Sequence, residues 1–251
     1  MDFSGKVILI TGASRGIGKA AAQMFAEHGG QVVLNYMRSA ALAEALRDTL
    51  PGGPHLAYQA DVADPAAVQA MIDAVVRSYG RLDVLVNNAA IYEDSPPASA
   101  DFASWLDVWQ RTIAANLTGA ANVAFCAARQ MIAQGGGRIV NVSSRGAYRG
   151  EPHAPAYGAS KAGLNSLTQS LAKALGEHHI SVSAVAPGWV ETDMAAETLA
   201  GPTAADVLKQ SPLGRVAKPE EVAYTICFLA SEGAEFLTGS IVDVNGASYF
   251  R

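Results

Sequence analysis

Cysteine is nearly absent from this sequence, since Cys126 and Cys227 are the only two among 251 residues. Their wide separation excludes a CxxC redox motif and a zinc-finger pattern. Both lie in apolar, helix-like runs, which indicates core positions and a reducing compartment. The five histidines show no metal-ligand spacing, and we interpret them as surface residues. The sequence therefore predicts no metal site.

Charge is also sparse, at 16% of residues, and the net charge of −5 is scattered along the chain. A nucleic-acid-binding protein would need a basic face, which this composition excludes. No apolar run reaches the ~18 residues that a membrane-spanning helix requires. The first residues lack the basic region of a signal peptide. We expect a cytoplasmic protein with a sizeable core, because half of the residues are hydrophobic.

Short apolar runs alternate with helical periodicity along the whole chain. This alternation predicts an α/β fold, in which a Rossmann-type doubly wound parallel sheet of about seven strands has helices on both faces. No linker or repeat interrupts it, so we expect a single domain over residues 1–251. Residues 189–214 are predicted to form a mobile substrate lid. The predicted strands span residues 7–10, 31–36, 55–60, 82–86, 138–142, 180–186 and 240–244.

A glycine-rich segment, Thr11–Gly18, follows the first predicted strand and precedes a helix. The spacing is G-x-x-x-G-x-G, with Gly12, Gly16 and Gly18 as its glycines. Such a turn presents backbone N–H groups and the positive end of a helix dipole to an anion. Without Cβ atoms in the way, a diphosphate approaches the backbone closely. The segment predicts a dinucleotide-binding turn.

The end of the second predicted strand indicates which dinucleotide binds. NAD-specific folds usually carry a carboxylate there, about 20 residues beyond the glycines. Residues 34–39 contain none, whereas Arg38 and the earlier Arg15 are cations that suit a 2′-phosphate. We therefore expect NADP(H) to be preferred over NAD(H). The alternative is that Arg38 is only a solvated loop residue.

Tyr157 and Lys161 lie four positions apart, which places them on one face of a helix. A nearby cation favours the phenolate, so Lys161 is expected to lower the tyrosine pKa. Tyr-x-x-x-Lys is common by chance, and on its own it fits a solvated helix face equally well. Other polar residues strengthen the functional interpretation. They are Ser144 at the end of the fifth strand and Asn116 within a long helix predicted over residues 101–134.

Taken together, these motifs resemble the short-chain dehydrogenase/reductase family over essentially the full length. The Thr11–Gly18 turn, Asn87–Ala90, the Tyr157 and Lys161 pair, Pro187-Gly188 and residues 243–246 occur in the family's order. The resemblance implies a catalytic tetrad of Asn116, Ser144, Tyr157 and Lys161. It also implies cofactor contacts from Gly12, Ser14, Arg15, Gly16, Ile17, Gly18, Tyr36, Arg38, Asp61, Val62, Asn88, Ala89, Tyr157, Lys161, Pro187, Gly188, Val190 and Thr192.

The resemblance further implies a mechanism. Tyr157 would be the general acid for carbonyl reduction, and Ser144 would hydrogen-bond the substrate oxygen. Lys161 would lower the tyrosine pKa and hold the nicotinamide ribose, and Asn116 would hold a water that links Lys161 to solvent. Asp61 is expected beside the adenine amino group. Ser143 is the alternative to Ser144 if the end of the strand is offset by one residue.

The substrate is the least defined expectation. In length and C-terminal motifs, the sequence most resembles 3-oxoacyl carrier-protein reductases. Sugar dehydrogenases and other small-carbonyl reductases are the alternative. Those carrier-protein reductases dock an acidic partner through two arginines, whose positions here hold Gly135 and His178. Glu93, Asp94 and Glu151 either suit hydroxylated substrates or are solvated loop charges. The resemblance also implies a homotetramer. For the function, the alternative of a different class is a catalytically idle protein that senses the dinucleotide.

Overall fold

The computed structural model describes residues 1–251 and contains one seven-stranded sheet. Its strands are β1 (Val7–Ile10), β2 (Gln31–Tyr36), β3 (Leu56–Gln59), β4 (Val84–Asn87), β5 (Gly137–Val142), β6 (Ile180–Pro187) and β7 (Ile241–Val244). Their order is β3-β2-β1-β4-β5-β6-β7, and every neighbouring pair is parallel. The predicted doubly wound fold is confirmed, and each strand lies within two residues of its predicted range.

Ten helices connect the strands or lie in the loops. They are α1 (Gly16–Glu27), α2 (Ala40–Thr49), α3 (Pro65–Tyr79), α4 (Phe102–Ile113), α5 (Ala120–Ala133), α6 (Gly146–Arg149), α7 (Pro155–Leu175), α8 (Asp193–Ala200), α9 (Ala204–Lys209) and α10 (Pro219–Ala230). None of them is long and apolar enough to cross a membrane.

Helices cover both faces of the sheet, which explains why β1 is apolar throughout. Along β1, Ile8 and Ile10 pack in a core cluster with α1 and α10, whereas Val7 and Leu9 pack in another with α3 and α5. Successive strand residues point to opposite faces. A strand covered on both sides therefore needs an apolar residue at every position.

The long helix predicted over 101–134 is interrupted in the structure. A π-helical turn, Ala114–Gly119, separates α4 from α5. It contains Asn116 and Gly119, the poor helix formers that predict an irregularity there. A Cβ on Gly119 would lie 2.9 Å from the Val62 carbonyl oxygen, so glycine allows the turn to touch the corner after β3. π-turns are frequent at functional sites.

The predicted lid, residues 189–214, contains two short helices, α8 and α9. Its two ends are tied together just outside these helices. Ala217 N donates to Trp189 O at 2.9 Å, and Glu191 N donates to Ala217 O at 2.9 Å. Val190 and Ala217 thereby form a parallel bridge. The segment leaves and re-enters the fold at one point beside the end of β6.

Candidate active site

The glycine-rich turn joins β1 to α1. Gly12 and Gly16 have φ values of 63° and 54°, a region that glycine adopts without steric cost. A Cβ on Gly12 would lie 2.9 Å from Ala89 Cα, and one on Gly18 would lie 2.5 Å from the Gly12 carbonyl oxygen. No larger residue fits at either position. The turn thus brings bare backbone to the start of α1, as an anion-binding turn requires.

Two polar residues fix this turn against the end of β4. Thr11 Oγ1 accepts hydrogen bonds from the N–H groups of Asn88 at 2.9 Å and Ala89 at 3.0 Å. Asn88 Nδ2 donates to the carbonyl oxygens of Thr11 at 2.9 Å and Gly12 at 3.0 Å. Asn88 and Ala89 are therefore at the turn, where sequence places them. Thr11 was not predicted as a site residue, although it opens the motif.

Arg15 and Arg38, the two predicted phosphate ligands, are both exposed. Arg15 Nη1 lies 3.8 Å from Asp193 Oδ2, at the start of α8, while Arg38 forms no ion pair. Ser14 and Ile17, in the same turn as Arg15, are half-buried, and Ile17 packs on the core beneath α1. Both arginines follow neighbouring strands, β1 and β2, and Arg38 is free to bind an anion.

The corner after β3 contains the next predicted contacts. Asp61 Oδ1 accepts a hydrogen bond from Ala63 N at 2.9 Å, which shapes the corner before α3. Val62 and Tyr36 are buried. The contact of Asp61 with an adenine amino group stays a prediction.

The end of β6 completes the predicted cofactor surface. Gly188 N donates to Val244 O at 3.1 Å, which holds Pro187 and Gly188 beside β7. Val190 is buried, and Thr192 precedes α8. A Cβ on Gly16 would lie 3.2 Å from the Thr192 methyl carbon. The structure thus brings the lid entrance against the glycine-rich turn, two regions far apart in sequence.

Tyr157 and Lys161 lie one turn apart on α7, as their spacing predicts. Pro155 is the first residue of this helix, a position where its missing N–H is not needed. Lys161 is 2% exposed, and its Nζ donates to the Val142 carbonyl at 2.7 Å. The same Nζ lies 5.7 Å from the centroid of the Tyr157 ring. The lysine is held between the end of β5 and the tyrosine.

The expected lowering of the tyrosine pKa is not present in this structure. Burial raises the pKa of Tyr157 to about 12, and the negative charge of Glu151 acts in the same direction. The neighbouring Ser144 hydroxyl lowers this pKa but does not offset the burial. Burial also lowers the pKa of Lys161 to about 8. The sequence motif alone did not account for desolvation, which disfavours the charged form of each group.

The two adjacent serines at the end of β5 have different surroundings. Ser143 is buried, and its Oγ donates to the Lys161 carbonyl oxygen at 3.3 Å. Ser144 is half-buried, its Oγ accepts from Gly146 N at 3.0 Å, and it lies near enough to Tyr157 to affect the phenol pKa. This geometry favours Ser144 over the alternative Ser143.

Asn116 is 1% exposed and lies in the π-helical turn. Its Oδ1 accepts from Ile91 N at 2.8 Å, and its Nδ2 donates to Ile91 O at 2.9 Å. Nδ2 also lies 3.2 Å from Ser160 Oγ, which in turn donates to the Tyr157 carbonyl oxygen at 2.7 Å. Asn116 therefore connects the loop after β4 to the helix that carries Tyr157. Its link to Lys161 through water stays a prediction.

Tyr92 is a neighbour of the site that the sequence did not indicate. Its ring packs edge-to-face on the Tyr157 ring, with centroids 5.0 Å apart. Burial raises the pKa of Tyr92 to about 12, with Asp94 and Glu151 acting in the same direction. Loop 91–100 is fixed near this point because Ser95 N donates to His153 O at 2.7 Å. A single tyrosine in a polar loop carries no local signal of this contact.

The carboxylates at the site mouth differ in their partners. Glu93 pairs with Arg111 at 2.6 Å, and Glu151 pairs with Arg149 at 3.2 Å. Asp94 forms no ion pair and lies near Tyr92. Because arginines neutralise two of these three carboxylates, the entrance to the site carries less negative charge than the sequence implies.

A family model described as Enoyl-(Acyl carrier protein) reductase matches residues 12–247. The 3-oxoacyl-[acyl-carrier-protein] reductase FabG of Staphylococcus aureus is 42% identical, over 97% of this chain and 98% of that protein. L-rhamnose 1-dehydrogenase (NAD(P)(+)) of Sphingomonas sp. is 40% identical, over 98% and 97%. A short chain dehydrogenase from Burkholderia cenocepacia, solved in complex with NADP, superimposes with a TM-score of 0.91 at 33% identity, over 99% of both chains.

Proposed function

The chain belongs to the short-chain dehydrogenase/reductase family, and we propose that it uses NADP(H) to interconvert a ketone and a secondary alcohol. One observation carries this proposal. Tyr157 and Lys161 share a face of α7, with Ser144 beside the phenol, at the sheet edge that also holds the glycine-rich turn. A proton donor, a hydroxyl for the substrate oxygen and a dinucleotide turn therefore converge, as carbonyl reduction requires.

The residues of the turn fit a dinucleotide diphosphate. Gly12 and Gly18 leave no space for a Cβ because the turn packs closely on residues 88 and 89, and its bare N–H groups would face the diphosphate. Arg38 and Arg15 would bind the 2′-phosphate that distinguishes NADP from NAD. The cofactor, when bound, supplies or accepts the hydride. The Burkholderia relative solved with NADP supports this preference.

Tyr157 would act as the acid in carbonyl reduction. With its pKa raised to about 12, the phenol holds its proton throughout the neutral range. Ser144 would donate a hydrogen bond to the same substrate oxygen and stabilise the developing negative charge. The reverse reaction needs the phenolate, so alcohol oxidation should accelerate as the pH rises. A rate of oxidation that is constant from pH 7 to 10 would contradict this role.

Lys161 would replace the proton that Tyr157 gives up. Its pKa of about 8 leaves it mostly charged at neutral pH while making the proton easier to release than in an exposed lysine. Its Nζ is already oriented by the Val142 carbonyl. Asn116 would position the loop after β4 and a water on the proton route. The lysine would also bind the nicotinamide ribose.

The substrate class is a second part of the proposal. We propose a 3-oxoacyl thioester as one candidate, because the Staphylococcus relative is named for that activity. A sugar is the other, supported by the rhamnose dehydrogenase. Gly135 and His178 follow α5 and α7 at the sheet edge opposite the tetrad, and His178 already lies 3.7 Å from Glu177. These positions give no support to an acidic carrier protein docking beside this chain's own site.

The experiment that tests the reaction follows NADPH absorbance against 3-oxoacyl thioesters, sugars, keto acids and simple ketones. Turnover that is abolished in Tyr157→Phe supports the proposed chemistry. Activity with thioesters alone would identify 3-oxoacyl thioesters as the substrate class. Tight NADPH binding without turnover of any of these compounds would instead favour the dinucleotide sensor.

We propose, finally, that residues 1–251 form one cofactor-binding domain with residues 189–214 as its lid, and that the chain assembles as a homotetramer. Seven of the large exposed apolar side chains lie in two groups, on two parts of the chain, and contact with other copies would remove them from water. Phe102, Leu106 and Phe125 lie on α4 and α5, and Tyr224, Phe228, Phe236 and Phe250 lie on α10 and near the C-terminus.

Light scattering tests the assembly. Phe228→Glu places a charge in the second group and should reduce the mass from four chains to two or one. Leu42→Glu, at an exposed apolar residue on α2 outside both groups, is the matched control and should leave the mass unchanged. A wild-type mass of one chain would refute the tetramer.

A further inference from the structure

A cavity of about 180 Å³ lies at the carboxyl ends of β6 and β7, beneath the lid. None of the tetrad residues lines it. Apolar side chains from the lid and from β7 form part of its wall, including Val207, Leu213 and Val244. Its polar lining includes Arg145, Trp189, Gln210 and Ser248. Arg215, Glu221, Asp243 and Asn245 also line it, so polar and charged side chains outnumber apolar ones and suit a ligand that carries a polar group.

Arg145 is the unusual residue of this cavity. It is 3% exposed, and its guanidinium donates to Gln210 Oε1 and to Ser248 Oγ, both of which are neutral. It forms no ion pair with any carboxylate of the chain. Burying a charge without a counter-charge is costly. Accordingly, burial lowers the pKa of Arg145 to about 10.

The carboxylates around Arg145 do not compensate it, because each is paired with another arginine. The pairs are Glu221 with Arg215 at 2.7 Å, Asp243 with Arg251 at 2.9 Å and Glu151 with Arg149 at 3.2 Å. Each pair is neutral overall. The positive charge of Arg145 is therefore the one charge at the cavity without a partner of opposite sign.

Trp189 contributes an independent observation. Its indole Nε1 is buried and has no hydrogen-bond acceptor, and the residue lines the same cavity. A buried N–H without an acceptor is rare in folded proteins and calls for an explanation. A ligand oxygen admitted by movement of the lining side chains would provide that acceptor, and an anionic one would also compensate Arg145.

We infer that this cavity binds a small organic monocarboxylate. Guanidinium groups bind carboxylates through paired hydrogen bonds, and the carboxylate would displace Gln210 from Arg145. The apolar wall would hold the hydrocarbon part. A cavity of about 150 Å³ accommodates benzene, so the volume suits an acid about the size of benzoate. Because Gln210 belongs to the lid and Arg145 follows Ser144, occupancy would link the lid to the catalytic strand.

Direct binding to the full chain tests this inference without any assay of turnover. Benzoate and the neutral, nearly isosteric benzamide are titrated into the protein by calorimetry, with and without NADPH. We expect benzoate to bind at least ten times more tightly than benzamide, by analogy with charge-assisted hydrogen bonds. Equal affinity for the two, or no binding of benzoate, overturns the proposal.

Two substitutions identify the residues responsible. Arg145→Gln should weaken benzoate binding by about ten- to a hundredfold, and Trp189→Phe, which removes only the N–H group and some ring area, by about three- to tenfold. Lys209→Gln, an exposed cation on α9 outside the cavity lining, is the control and should have no effect. If circular dichroism shows that Arg145→Gln does not fold, the test rests on Trp189→Phe and on the affinities of benzoate and benzamide for the wild-type protein. Unchanged benzoate affinity in folded variants contradicts the assignment.

The carboxylate has two possible sources, namely the substrate itself or a separate effector. Benzoate that competes with the carbonyl substrate supports a carboxylate carried by the substrate, and this arm rests on the proposed function. Benzoate that alters the maximal rate without competing supports a separate effector. Since calorimetry needs no reaction, failure of the oxidoreductase proposal would leave the binding result intact.

Discussion

The two halves of the sheet's carboxyl edge are built differently. At β1, β4 and β5, short side chains and backbone groups satisfy one another, as Thr11 and Asn88 do around the glycine-rich turn. At β6 and β7, long side chains from the lid meet a cavity that contains Arg145 and the unpartnered Trp189 N–H. The first half holds the protein groups that the proposed reaction needs for any substrate. The second half holds a cavity that would bind the part in which one substrate differs from another.

In our proposal, the first half holds the groups for the reaction and the second half those for substrate selection. In the first half, backbone proximity fixes residue identity, because a single added Cβ would collide with main-chain atoms. In the second half, Arg145 contacts Gln210 and Ser248 through side chains and not through main-chain atoms. Substitutions in the first half should therefore impair turnover, cofactor selection or folding for all substrates.

The largest expected effect belongs to the first half. Tyr157→Phe should reduce kcat by about 10²–10⁴-fold, the range that general acid catalysis contributes, while NADPH binding is retained. Steady-state kinetics and fluorescence titration measure the two quantities. Tyr92→Phe, on the ring that packs against Tyr157, is the control and should change kcat far less. Near-normal turnover in Tyr157→Phe would refute the proposed acid.

Cofactor selection is the next test. Arg38→Ala should lower kcat/KM for NADPH by about ten- to a hundredfold, the equivalent of a lost hydrogen bond between charged groups. The value for NADH should be unchanged, because Arg38 would touch only the 2′-phosphate. Arg129→Ala, at another exposed arginine on α5, provides the comparison. Parallel losses for both cofactors would contradict the assigned role.

Close packing of the turn predicts a stability effect. Gly18→Ala should destabilise the fold by about 1–3 kcal/mol, because its Cβ would lie 2.5 Å from the Gly12 carbonyl oxygen and 2.6 Å from Asn88 Nδ2. Gly176→Ala is the matched control, since it has open space around it, and it should be neutral or slightly stabilising. Denaturant unfolding measures both. Equal stability of the two variants would weaken the contrast between the halves.

The lowered pKa of Lys161 predicts that the free energy of unfolding depends on pH. Its pKa is about 8 when folded and near 10.5 in an exposed lysine, so between these values the unfolded chain binds the additional proton. Raising the pH through this window therefore favours the folded state. Lys161→Met should be more stable than wild type at pH 7, and its advantage should shrink by about 1.4 kcal/mol per pH unit from pH 8 to 10. A difference in unfolding free energy that does not vary with pH would contradict the buried, shifted lysine.

The fold was largely predictable because its signals are local. Apolar runs gave seven strands, and Asn116 with Gly119 marked the irregularity in the long helix. The π-helical geometry of that irregularity, and the short α6 between β5 and α7, depend on contacts with other parts of the chain. Periodicity does not encode those contacts.

The site was predictable where a motif holds several residues at fixed spacing. Ser144, Tyr157 and Lys161 lie together as expected. The raised pKa of Tyr157 was missed, because burial is set by the packed fold and not by the four-residue spacing. Arg145 was missed for a related reason. An arginine after a strand is unremarkable in sequence, and only tertiary structure pairs each neighbouring carboxylate with another arginine.

The bridge between Val190 and Ala217 has a consequence for how this protein can diversify. A segment whose ends are already joined contributes little further closure entropy when its length changes, since that cost grows only logarithmically. Changes in the length of residues 191–216 that keep the contact of Gln210 with Arg145 should therefore leave the sheet and the Tyr157 helix folded. If this segment is the lid that we propose, a gene duplicate could acquire a new substrate by changes within it while keeping its hydride chemistry.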